Sequence, residues 1–176
     1  MSFTTNLEGS VAPYQRQMTS YRRTRSAILE GAKSMIAKQG LHKTSMIEIA
    51  DEAEVSRATL YNHFRDKESV MRALLESEVE RIISVSLAVG SPEKALARMS
   101  IEISGDAALA TLRKTDPAVL TIILTSHDDP LWDQVATALR EITRGNQDLT
   151  LRWLIGQFFA PISAELSLTQ ALFLTS

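Results

Sequence analysis

The 176-residue chain has no cysteine. That absence excludes disulfides, thiolate nucleophiles and cysteine-ligated zinc, and it suits a reducing cytosol. No uninterrupted apolar run reaches the roughly 18 residues a membrane span requires. The N-terminus lacks the charged and apolar regions of a secretory signal, so a cytoplasmic protein is expected. Strand-like alternation, an internal repeat and a Gly-rich phosphate loop are all missing. With only three histidines, neither a metal centre nor an organic cofactor is expected. What remains is an ordinary balance, 44% hydrophobic and 23% charged, and, beyond a polar stretch at 1–20, helical periodicity. The fold class expected is all-α.

Net charge is −2, which looks wrong for a nucleic-acid binder until the chain is divided. Residues 16–72 carry eleven Lys or Arg against seven Asp or Glu, a surplus of four positive charges. Residues 73–176 carry eight against thirteen, a deficit of five. Such asymmetry points to a nucleic-acid partner on one half only, although a surplus of four over that length also arises by chance.

The stretch that organises the chain is 41–68. Thr44 is a good N-cap, with Glu48 near the first turn. Met46, Ile49, Ala50 and Ala53 then recur at helical spacing, and Glu48, Asp51, Glu52 and Glu54 make the polar side. Ser56 caps a second short helix that buries Leu60 and Phe64. Two short helices joined this tightly form a helix-turn-helix, whose second helix can enter a DNA major groove.

A helix pair alone is a weak signal. The run Thr44-Ser45-Met46, Ile49-Ala50, Val55-Ser56, Thr59-Leu60-Tyr61, His63-Phe64 and Lys67-Glu68 is more specific and closely resembles the signature of the TetR family of bacterial transcriptional regulators. Arg25, Ile28, Leu29, Ala32 and Gly40 upstream extend the match over about residues 22–72. Ala58 departs from the family, which often has Gly there; its methyl bears on base preference and leaves the fold unchanged.

Three regions are expected: a mobile arm at 1–20, a helix-turn-helix domain at 21–68 and a helical regulatory and dimerisation domain at 69–176. The first helix should run from about Thr24 to Gln39, ending at Gly40. Asp66 should cap a long fourth helix reaching near Val89, and the resemblance implies that this helix couples ligand to DNA spacing. Beyond it, Ser91-Pro92, Asp116-Pro117 and Asp129-Pro130 read as helix starts, Gly105-Asp106 as a break or bend before a short helix from Ala107 to Lys114, and Gly145-Asn146 as a stop. Helices near 130–144 and 149–160 carry wide apolar faces, and Leu166–Leu174 reads as one more.

On the recognition helix, Arg57 can donate two bonds to guanine, Thr59 offers a hydroxyl and a methyl, and Tyr61 can meet a thymine or a phosphate. Thr44, Ser45, Ser56, Ala58, Asn62, His63 and Lys67 complete the expected DNA face, mostly through the backbone. For His63 a packing role competes. Arg22 and Arg23 can reach phosphates or a minor groove, or simply open a solvated helix. A two-fold dimer would read a palindromic operator.

The resemblance further implies an apolar effector pocket, for which Met99, Ile103, Leu120, Ile123, His127, Trp132 and Trp153 are the candidates, each also readable as plain core. It implies a homodimer, with Leu139, Ile142, Leu151, Leu154, Ile155, Phe158 and Phe159 as candidate contacts, and a small apolar or aromatic effector. Two other functions compete with a repressor released by that effector. One is a helical interaction module whose DNA head is idle. The other is a small enzyme using His127 and Asp128, a cluster that reads more simply as a loop before Pro130. The protein is expected not to be an enzyme.

Overall fold

The computed structural model describes residues 11–126, 129–143 and 145–175, with side chains from Gln15 onward. These residues form ten α-helices and no strand. They are α1 (Val11–Gln39), α2 (Met46–Glu52), α3 (Arg57–His63), α4 (Lys67–Leu87), α5 (Pro92–Gly105), α6 (Ala107–Thr115), α7 (Pro117–Thr125), α8 (Pro130–Thr143), α9 (Gln147–Phe159) and α10 (Ala164–Thr175).

Most boundaries follow from local chemistry. The Ser56 side chain accepts the Thr59 N–H and starts α3. Asp66 accepts the Ser69 N–H while Ser69 answers back, a reciprocal cap on α4. Gly90, at φ +82°, follows the end of α4, and Ser91-Pro92 opens α5. Asp106 caps α6 through the Leu109 N–H.

Two starts differ from expectation. The cap of α2 is Ser45, whose hydroxyl pairs reciprocally with Glu48. Thr44 is buried instead, and its hydroxyl donates to the Gly40 carbonyl at 2.7 Å. Both residues are cap-competent, and this back-bond across the turn decides between them. The first helix begins at Val11, not Thr24. From 14 to 30 the sequence holds no Gly or Pro, and Pro13 falls in the first turn, where a missing N–H costs no intrahelical bond. The second half of the expected arm is therefore helical, with every side chain from Gln15 to Arg23 exposed. Residues 1–10 lie outside the described residues.

Two apolar clusters hold the fold. The first joins Ile28, Leu29 and Ile36 of α1 to Ile49, Leu60 and Phe64, then continues into Val70 and Leu74 of α4 and Leu112 and Leu120 of α6 and α7. It crosses the boundary expected at 68, so the helix-turn-helix head is packed onto the body. The second gathers Leu96, Met99 and Ile103 of α5 with Leu139 and Ile142 of α8, Leu154 of α9 and Ala171 of α10. Small residues let α10 lie close on α5, where Ser100 and Ser167 are fully buried and share a hydrogen bond of 2.8 Å.

This second cluster overturns part of the expected dimer surface. Leu139, Ile142 and Leu154 are at most 4% exposed within one protomer. Helical periodicity tells which face is apolar, and here the protomer itself covers that face. Leu151 and Phe158 also pack against the cluster, whereas Phe159 is 51% exposed.

The turn between α2 and α3 carries a local cost. Val55 N–H bonds the Ala50 carbonyl and Glu54 N–H bonds the Asp51 carbonyl, the paired bonds of a Schellman motif. The motif requires a left-handed residue after the cap, and Glu54 occupies it at φ +53°. A side chain there costs about 1–2 kcal/mol. Glu54→Gly is expected to stabilise the protein by about 1 kcal/mol after the added backbone entropy is offset. That raises Tm by roughly 2–4 °C, readable by calorimetry; an unchanged or lower Tm would refute the strain.

Candidate nucleic-acid interface and the cavity behind it

The helix-turn-helix is held from behind. Ile49 and Leu60 are fully buried and Phe64 nearly so, so α3 is pinned by one face. Its opposite face presents Arg57, Ala58, Tyr61 and Asn62, all exposed, with Tyr61 at 53%. Ser56 and Thr59 lie beside them, but their hydroxyls bond each other at 2.7 Å and the Ser56 oxygen also caps the helix.

The turn leading into α2 is clamped on both sides. Lys67 Nζ donates to the carbonyls of Leu41 and Thr44 at 3.0 and 2.9 Å. The Asp116 carboxylate, from the corner between α6 and α7, accepts the Leu41 and His42 N–H groups at 3.1 and 3.2 Å. Burial raises the Asp116 pKa, but hydrogen bonds from Thr115, His42 and Leu41 outweigh it and leave the carboxyl below its ordinary range. A Cβ on Gly40 would collide with Thr115 and Asp116, so the clamp also needs glycine there.

His63 takes the packing role. Its ring stacks on Tyr21 at 4.2 Å between centroids, and its Nδ1 is buried without a hydrogen-bond partner. Burial, then the neighbouring Arg25 charge, lower its pKa. Arg25 itself lies over the Phe64 ring at 5.4 Å. These contacts carry the exposed Arg22 and Arg23 alongside the C-terminal end of α3.

Behind the head, α4, α5, α7, α8 and α9 enclose a cavity of about 720 Å³. Of the expected lining residues, Met99, Ile103, Ile123 and Trp132 line it. Leu120 does not: it is 2% exposed in the head's own cluster, on the other side of α7. Trp153 also turns away, its indole N–H donating to Gln170 of α10. His127 and Asp128 lie outside the described residues. The sequence reading missed the largest contribution, Met71, Leu75, Val79, Ile82 and Ile83 of α4, because an apolar stripe on a long helix reads as core. Leu151, Leu154, Ile155 and Phe158, expected at a dimer contact, line the cavity too.

Among the described residues no three His, Asp or Glu side chains gather as a metal site requires, and no helix is long and apolar enough to cross a membrane.

The fold and site thus define a class, a helix-turn-helix head packed on a helical body that holds an apolar cavity. Residues 28–74 match the family model described as bacterial regulatory proteins, tetR family. Over 66 residues the chain is 33% identical to the HTH-type transcriptional regulator UidR of Escherichia coli K12, covering 38% of this chain and 34% of that protein. Over 63 residues it is 35% identical to TtgR of Pseudomonas putida, covering 36% and 30%. The match thus spans about a third of the length of these curated relatives. The fold is similar over far more of the chain to the TetR family repressor AlkX from Dietzia sp. strain DQ12-45-1b, with a TM-score of 0.58, 21% identity and coverage of 85% and 94%.

The His63 environment predicts an acid response. A folded-state pKa below the unfolded value of about 6.5 leaves its stabilising contribution intact above that value, and the contribution is lost as pH falls through the folded pKa. Urea unfolding should therefore show lower stability at pH 5.5 than at 7.5, a window above the ordinary carboxylate range. His63→Phe should flatten the difference; a slope unchanged in the variant would place its origin elsewhere.

Proposed function

We propose that the protein is a cytoplasmic, non-enzymatic transcriptional regulator that binds a palindromic operator as a homodimer and is released by a small apolar effector. The observation that carries this is the exposed face of α3, with Arg57, Ala58, Tyr61 and Asn62 outward and Leu60 locked behind them. Arg57 reads a guanine edge, the Ala58 methyl meets a thymine, and Tyr61 and Asn62 complete the face. Ser45 and the N-terminal amides of α2 meet phosphate, and Arg22 and Arg23 extend the electrostatic footprint. Lys67, Thr44, Ser56 and His63 act mainly from behind, since their polar atoms or rings are engaged within the protein.

For the dimer, the outer faces of α9 and α10 offer a group of exposed apolar side chains. Leu149 and Phe159, with Leu166, Leu168, Leu172 and Phe173, are 42–78% exposed. A second copy covers such a face through an isologous four-helix contact. The cavity behind the head serves as the effector site, its size falling within the range of small-molecule pockets.

Arg57→Ala should cost about 1–3 kcal/mol on the operator and relax preference at one base per half-site. Arg22→Ala with Arg23→Ala should weaken operator and random duplexes alike and flatten the salt dependence by up to two phosphate contacts. Fluorescence anisotropy with labelled DNA from upstream of the protein's own gene, at two salt concentrations, measures both. Equal losses on operator and random DNA for Arg57→Ala would count against its reading role.

A further inference from the structure

We infer that the cavity takes a hydrophobic monocation, whose positive charge replaces the Arg72 guanidinium at Asp129. This rests on reading the cavity as the effector site and names the class of molecule it selects.

The body of the cavity is apolar, walled by Leu75, Val79, Met99, Ile103, Ile123 and Phe158. Among the described residues, charge enters at its rim, through Glu68, Arg72 and Asp129. Arg72 forks onto Asp129, through Nη1 and, at 2.9 Å, through Nη2, while its Nε donates to Glu76 at 2.8 Å. Glu76, the other partner of Arg72, adds a carboxylate beside the rim, so that among the described residues Arg72 is outnumbered by Glu68, Glu76 and Asp129. Glu68 adds to this without any ion pair among the described residues.

The exchange is asymmetric, and the asymmetry selects the sign of the ligand. The Arg72 side chain is 45% exposed and that of Asp129 only 19%. Asp129 is fixed as well by the Leu131 N–H at 3.0 Å. Arg72 can therefore swing outward and keep Glu76 as its partner, leaving Asp129 in place for a new cation. An anionic ligand would have to draw Arg72 away from Asp129. The fixed carboxylate would then stand unpaired beside the ligand's own negative charge and Glu68. Trp132 and Phe158 line the same space, and an aromatic lining favours a cation over a neutral group.

The exchange also has a mechanical result. Arg72 sits on α4, five residues after Lys67, and Asp129 starts α8. Replacing Arg72 removes the ion pair that ties α4 to the corner between α7 and α8.

The test is calorimetric titration of the purified protein with decyltrimethylammonium, decanol and decanoate, each below its micelle concentration. The cation should bind about tenfold tighter than the alcohol, as one partly screened ion pair with an aromatic contribution allows. Decanoate should bind weakest. Asp129→Asn should bring the cation to the alcohol's affinity while leaving decanol within about twofold, and Arg72→Gln should tighten the cation by removing its competitor. Circular dichroism establishes that each variant is folded. If Asp129→Asn is not, Glu68→Gln carries the same comparison with about a threefold loss.

Decanoate binding as tightly as the cation overturns the inference. So does a cation preference that both the Asp129→Asn and Glu68→Gln variants leave intact, since that marks adsorption to the acidic surface. Operator binding is measured separately. Specific DNA binding without a charge preference sinks this inference alone; a cation preference without specific DNA binding sinks the regulator reading and leaves the cavity's selectivity standing.

Discussion

The turn between α1 and α2 is the constraint on which the rest depends. A seven-residue helix gains too little from its own hydrogen bonds to persist alone, and α2 and α3 are both of that length. Their placement comes from what grips their ends. Lys67 holds two carbonyls of the turn, Asp116 holds two of its amides, and Thr44 closes it onto Gly40. The grip comes from α4 and from the corner between α6 and α7. The pose of α3 is therefore set by the body as much as by the head.

A chain of alternating charges extends that grip. Lys33 of α1 bridges Asp106, which caps α6, and Glu78 of α4. Glu78 also holds Arg81, which reaches Glu102 of α5, and Glu102 holds Arg98. Burial lowers the Lys33 pKa, yet its bonds to Asp106 and Glu78 outweigh burial and the net shift is upward. Glu102 shows the converse, a net downward shift because Arg81 and Arg98 outweigh burial. Apolar packing gives the helices their affinity for one another, while these paired charges set their rotation and register, because a mispaired charge costs more than a matched one gains.

What the sequence made legible was whatever is decided within a few residues. Ser56, Asp66, Asp106 and Gly90 mark their boundaries because a cap needs only its own turn. The helix-turn-helix was legible for the same reason, and so was the inward turn of Ile49, Leu60 and Phe64. Reading failed where a distant partner decides. Thr44 and Ser45 are equally good caps until the Gly40 carbonyl selects between them. Leu139, Ile142 and Leu154 announce an apolar face but not which surface covers it. Leu120 and Ile123 stand three residues apart on one short helix, and packing sends one to the head's core and the other to the cavity. Arg72 and Asp129 are 57 residues apart, and no local pattern joins them.

These contacts make α4 a lever with unequal fastenings. One side carries Val70, Ala73 and Leu74 into the head's cluster, a bond that cannot be undone without exposing apolar surface. The other side, through Met71, Leu75 and Val79, faces the cavity, where a ligand can supply the missing packing. Farther along, Ile82 and Ile83 pack on the second cluster, while the tie at Asp129 is a partly exposed ion pair worth little in water. Movement of α4 against α8 therefore exchanges a weak polar tie, while movement against the head, or against the Leu120 side of α7, breaks core. A shift of α4 would therefore carry with it the apolar cluster that pins α2 and α3.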